Sequence, residues 1–226
     1  MAEAVKPKRR YDSRRRREQA AATGRQILEA AQRLFERQGY AATTMAAIAA
    51  EARVAGKTVY LAFETKSGVL RALWNFLLRG DQEDVPISDR RWYREVLGEP
   101  DPERQLRLGA ANARAVKERI GGVIEIIHAA AAVDPDIDAL WKRIETEFHA
   151  NQRVVVASID DKGALRPELD VDRATDILWT LNHPDVWQLL VVQRGWTPDE
   201  YERWFADTAV AQLLAPQPAR RRRARP

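Results

Sequence analysis

The sequence predicts an all-α protein, and three observations carry that prediction. Apolar residues recur at helical spacing through most of the chain, as in Ile27, Ala30, Ala31, Leu34 and Phe35. Helix starts carry capping chemistry, as in Asp134-Pro135 and Thr197-Pro198-Asp199-Glu200. Between Thr43 and Lys66, two short periodic runs meet across the interruption Arg53-Val54-Ala55-Gly56, the pattern of two short helices joined by a tight turn.

Taken in order, residues 1–16 read as a disordered basic arm, and Arg14-Arg15-Arg16-Arg17 leads into a first helix over about 17–38. Gly24 weakens that helix slightly, and Gly39 suits a left-handed C-cap. Thr43 or Thr44 can cap the next helix, whose apolar face is Met45, Ile48, Ala49 and Ala52. The following short helix uses Val54, Val59, Tyr60 and Phe63, and a fourth runs from Ser67 to Arg79 through Leu70, Leu73 and Trp74. Residues 80–102 read as a loop with one helical turn at 90–97. Residues 103–132 read as helical with a break at Gly121-Gly122, and Pro135 opens a long helix to Ile159 that Asp161-Lys162-Gly163 ends. Asp172 begins another helix, and Pro184 kinks or splits that helical region. Gly195 caps residues 186–194, and a capping box starts the last helix. Pro216 and Pro218 release an arginine-rich tail.

The stretch from Thr43 to Lys66 is the informative one. It resembles the DNA-binding core of the TetR family of transcriptional regulators through Thr44, Ile48, Ala49, Ala52, Val54, Lys57, Thr58, Val59, Tyr60, Phe63, Lys66 and Leu70. The Tyr-x-x-Phe-x-x-Lys run is the most specific part, and amphipathic helices flank the motif on both sides. The resemblance implies a helix-turn-helix DNA-binding unit over 17–66, a helical ligand-binding and dimerisation domain over 67–215, and about nine helices in all. It further implies a homodimer that represses from a palindromic double-stranded operator and responds to a small-molecule effector, with the fourth helix moving the DNA-reading heads. Two departures stand out. Arg53 occupies the turn position where glycine is usual, and Leu61-Ala62 replaces polar or histidine side chains in the recognition helix.

Each DNA-facing residue has a chemical reason and a blander alternative. Thr44 sits where a hydroxyl and free amides can bind a phosphate or simply cap. Ala55, Gly56, Lys57 and Thr58 open the recognition helix; Lys57 can reach a guanine edge or a phosphate, and Thr58 can offer a hydroxyl or a methyl. Tyr60 either puts its hydroxyl on a phosphate or fills the core, while Leu61 faces the groove without a polar group and the small residues of this helix permit close approach. Lys66 holds a phosphate or is solvated. Arg14, Arg15, Arg16 and Arg17 neutralise phosphates, enter a minor groove, or serve as a solubilising end.

Charge supports the same picture. The net +4 divides into +6 over residues 1–17, +5 over 220–225 and −7 over the remainder, so basic ends flank an acidic body. A non-specific architectural nucleic-acid binder driven by those ends is the alternative function. An enzyme is disfavoured by three scattered histidines, no cysteine and no phosphate loop; neither a metal site nor a cofactor is expected. The absence of a long apolar run argues against a membrane span and for a cytoplasmic protein.

The last two helices are the family's usual dimer surface, making Val186, Leu189, Leu190, Trp204, Phe205 and Leu213 interface candidates, with ordinary core as the alternative. All seven tryptophans come after the DNA-binding unit. Trp92, His128, Trp141, Phe148, Trp179 and His183 are candidates to line an effector pocket between the middle helices, or else they fill the core.

Overall fold

The structure, a computed structural model, describes residues 11–79 and 90–216. The helices are α1 (Tyr11–Ala42), α2 (Met45–Glu51), α3 (Gly56–Phe63), α4 (Lys66–Arg79), α5 (Arg91–Gly98), α6 (Pro102–Ala131), α7 (Pro135–Asp160), α8 (Val171–Leu181), α9 (Pro184–Trp187) and α10 (Pro198–Leu213). The all-α prediction holds for the described residues.

Four boundaries differ from expectation. Helix α1 begins at Tyr11, so residues 11–16 extend a helix and do not form an irregular arm. Its far end runs past Gly39, whose φ of 79° and ψ of 168° lie outside the left-handed helical well but still in space that only glycine enters freely. Helix α6 passes straight through Gly121-Gly122. There Gly121 lies under Trp187 and Gln188, and its carbonyl accepts from Gln188 Nε2 at 3.0 Å, so packing holds a segment that propensity alone would break. Finally, residues 91–98 form a full two-turn helix, α5, and not one turn.

The expected punctuation is otherwise present. Thr44, Asp101, Asp134, Asp170 and Thr197 each cap a helix with a side-chain oxygen. Pro184 splits α8 from α9, with His183 Nδ1 accepting from the Asp185 amide as the cap. A π-helical stretch, Gln188–Gln193, continues α9.

Apolar burial forms two clusters. One joins the stripe of α1 (Ile27, Leu34, Phe35) to Ile48, Val59, Leu70 and Leu73, and extends into Val123, Ile124 and Ile127 of α6. The other joins Leu106, Val156, Ile159 and Leu178 to Tyr201, Phe205 and Leu213. The long helices α6 and α7 belong to both, so the body is built on a shared α6–α7 pair. Polar contacts reinforce the first junction: Tyr40 donates its hydroxyl to Asp134 Oδ2 at 2.6 Å, and Ser67 Oγ to Asp136 Oδ2 at 3.1 Å. Burial and the Asp134 carboxylate both push the Tyr40 phenol upward, keeping it a neutral donor.

Candidate DNA interface and ligand cavity

The turn between α2 and α3 is a Schellman motif. The Val54 amide donates to Ala49 O at 3.0 Å and the Arg53 amide to Ala50 O at 3.1 Å. Arg53 occupies its left-handed position, with φ of 53°. The expected departure at this residue is therefore real: the turn keeps its geometry and Arg53 carries the strain. Gln26 Nε2 fixes the same turn from α1, donating to Ala52 O at 2.8 Å.

Helix α3 is seated by one fully buried residue, Val59, with Phe63 and Val54 partly buried beside it. The opposite face is open. Ala55, Gly56 and Lys57 are exposed at its start, Thr58 is half-buried, and Tyr60 and Leu61 are 55% and 75% exposed. A core role for Tyr60 is excluded by that exposure. Thr44 caps α2 by accepting from the Ala47 amide at 3.1 Å and stays exposed, while Thr43 is buried and donates to Gly39 O at 2.8 Å. Arg15, Arg16 and Arg17 are exposed on the first turns of α1; the side chain of Arg14 lies outside the described residues, as does the arginine-rich tail beyond residue 216.

Lys66 is half-buried and engaged within the protomer. Its ammonium donates to Tyr40 O at 2.8 Å and lies 4.1 Å from the centre of the Tyr40 ring. That engagement ties the start of α4 to the end of α1, with Tyr40 O shared between Lys66 and the Thr43 amide, which donates to it at 3.2 Å. Gly68 brings α4 against α3, since a Cβ there would stand 2.1 Å from Phe63 O.

Behind this face lies a cavity of about 170 Å³, walled by α4 (Trp74, Leu78), α5 (Trp92), α6, α7 (Trp141, Phe148) and the α8–α9 junction (Asn182, His183). Of the six pocket candidates, Trp92, Trp141, Phe148 and His183 reach it. His128 and Trp179 do not: they stand one layer out, His128 edge-on to Trp141 at 3.9 Å and Trp179 edge-on to His183 at 4.9 Å.

Sequence reasoning missed the polar part of the cavity. Lys117 of α6 is 5% exposed, donates to Asn182 Oδ1, and faces the Tyr201 ring at 5.5 Å. Asn182 Nδ2 donates in turn to Gln152 Oε1 at 3.3 Å. Burial lowers the Lys117 ammonium to a pKa of about 7. The available signal was a lysine on the apolar stripe of α6, at i−3 from Ile120 and i−7 from Ile124.

The interface candidates divide. Phe205 and Leu213 are 3% and 1% exposed inside one protomer, so they are core and correct the expectation. Val186, Leu190 and Trp204 are half-buried, and Leu189 is 52% exposed. Val192, 60% exposed and one turn beyond Leu189 on the π-helical stretch, belongs with them although sequence reading did not select it.

A seated helix with an open cationic and aromatic face, on a tight turn and backed by a helical body with a cavity, defines a helix-turn-helix DNA-binding protein. The sequence model of bacterial regulatory proteins of the tetR family matches residues 27–73. The probable HTH-type transcriptional regulator ArpR of Pseudomonas putida is 30% identical over 164 residues, 71% of this chain and 77% of that protein. The chain belongs to the TetR family of transcriptional regulators. Among solved structures, NalD, the secondary repressor of the MexAB-OprM multidrug efflux pump in Pseudomonas aeruginosa, superposes with a TM-score of 0.69 at 20% identity, covering 88% of this chain and all of that one (100%). SmeT of Stenotrophomonas maltophilia in complex with triclosan superposes at 0.62 with 22% identity, covering 87% and 93%.

Proposed function

We propose that the protein is a dimeric repressor that reads a palindromic operator through α3 and releases it when a small hydrophobic or aromatic effector enters the cavity. The observation that carries this reading is the placement of α4. Its first turn holds α3 and the end of α1 through Gly68 and Lys66, and its Trp74 and Leu78 wall the cavity. Occupancy of the cavity is thereby linked mechanically to the orientation of the DNA-facing helix. Repressors of efflux pumps and a triclosan complex among the structural relatives support the same direction.

In this reading Lys57, Thr58, Tyr60 and Leu61 meet the major groove, Thr44 a phosphate, and Arg15, Arg16 and Arg17 the flanking backbone. Residues 17–66 act as the DNA-reading unit and 67–215 as the effector and dimer unit. Val186, Leu189, Leu190, Val192 and Trp204 supply the dimer face. No described helix is long and apolar enough to cross a membrane, which supports a cytoplasmic site of action.

Selection of bound sequences from random duplexes tests this reading. A two-fold symmetric site is expected, and Lys57→Ala or Tyr60→Ala should abolish preference for it while leaving weak salt-sensitive binding. Unselective binding by the unaltered protein would favour the architectural alternative.

A further inference from the structure

We infer that the cavity selects an aromatic effector with an anionic head, held by the Lys117 ammonium, and that a carboxylate or acidic phenol therefore outcompetes its neutral analogue. The inference rests on the effector reading of the cavity and names the chemistry of what enters it.

Lys117 is the deepest charge in that wall. Its side chain is 5% exposed, and no carboxylate pairs with it among the described residues. Its only hydrogen-bond acceptor there is the neutral amide of Asn182, itself held by Gln152. A buried cation without a counter-charge is unfavourable unless something supplies one. An ammonium has three donors, and one hydrogen bond to Asn182 leaves capacity for a ligand. Trp92, Trp141 and Phe148 provide the apolar walls for a ring.

The other charges near the cavity do not supply the missing one. Glu145 pairs at 3.5 Å with His183 Nε2, and Glu147 is exposed. Tyr93 and Tyr201, both pushed up by burial, stay neutral. A cationic ligand would meet Glu145 only by setting its charge in the same cavity as Lys117. Because burial has already lowered Lys117 to about 7, an entering anion should recruit a proton to it at mildly alkaline pH.

The test uses the full-length protein and three probes of one shape: naphthalene-2-carboxylate, naphthalene-2-carboxamide and 2-naphthylmethyl-trimethylammonium. Affinity is read by calorimetry at pH 8 in two buffers of different ionisation enthalpy. The carboxylate should bind at least about tenfold tighter than the amide, as charge-assisted hydrogen bonds outweigh neutral ones. Its binding should take up close to one proton, and the amide's none. Lys117→Met and Lys117→Gln should both erase the preference and the proton uptake. Equal affinities for carboxylate and amide, tighter binding of the cation, or a preference that survives in both variants would overturn the inference while leaving the cavity an effector site. Failure of all three probes to bind would overturn it together with the effector reading.

Discussion

Lys117 makes the stability of this protein depend on pH in the direction opposite to that of an ion-paired lysine, whose folded pKa is raised. With the folded pKa at about 7 and the ordinary value at 10.5, both states carry the proton below pH 7, and the folded state bears the full penalty of a buried charge. Between those values the unfolded chain holds a proton that the folded chain lacks, so stability rises with pH by up to about 1.4 kcal/mol per pH unit. Above 10.5 the group is neutral in both states and the penalty is gone. Lys117→Met removes this dependence. It also strands Asn182 Oδ1, a loss of about 1–3 kcal/mol at every pH. Against a charge penalty on the order of 5 kcal/mol below pH 7, the variant should be more stable than the parent by about 3 kcal/mol at pH 6. That advantage should shrink to near zero by pH 9, where about 2 kcal/mol of the penalty remains against a similar cost of the stranded oxygen. Urea unfolding at a fixed protein concentration, at pH 6, 7.5 and 9, measures it; the parent-minus-variant difference isolates Lys117 from other titrating groups. Parallel stability curves for the two proteins across that range would refute the reasoning.

The geometry leads to three other outcomes. Gly68→Ala drives a methyl into the Phe63 carbonyl at 2.1 Å, a backbone atom that cannot step aside; thermal unfolding should show a loss of about 3 kcal/mol, with operator affinity reduced further because α3 shifts. Arg53→Gly relieves about 1–2 kcal/mol of left-handed strain against a smaller gain in unfolded-chain entropy, so chemical denaturation should find the variant about 0.5–1 kcal/mol more stable. Leu189→Asp combined with Val192→Asp places two charges on an exposed apolar face; sedimentation should show monomers and gel-shift a loss of specific binding, with helix content unchanged by circular dichroism.

What the sequence made legible was local. Caps, proline breaks and the helix-turn-helix depend on neighbours within a few positions, and Asp134-Pro135, Pro184 and Thr197–Glu200 behave as their chemistry requires. The misses depend on distant partners. Gly121-Gly122 reads as a break until Trp187 and Gln188 pack over it. The contact of Lys66 with the carbonyl and ring of Tyr40, 26 positions earlier, is likewise absent from any local pattern. Phe205 and Leu213 have the spacing of an interface but face Tyr201's side of the protomer core. Lys117 was hidden for the same reason, since one lysine on an apolar stripe is indistinguishable in sequence from a residue that snorkels to solvent.

The same kind of distant contact gives the proposed link between the cavity and α3 a route that needs no direct touch between them. Helix α4 is 14 residues long, about 21 Å from end to end. At its start, Gly68 permits backbone contact with α3, so no flexible side chain lies between the two helices to absorb a shift. Toward its end, Trp74 and Leu78 form cavity wall, and Leu77 O accepts from Arg119 Nε of α6 at 3.3 Å. The Tyr40–Asp134 and Ser67–Asp136 hydrogen bonds anchor the α3 end to the cap of α7. In the proposed reading, a ligand that displaces Trp74 acts on a rod held at both ends, and the tight junction at Lys66 and Gly68 passes the shift on to α3. Packed junctions of this kind respond by stepping between arrangements, because close-packed interiors compress very little.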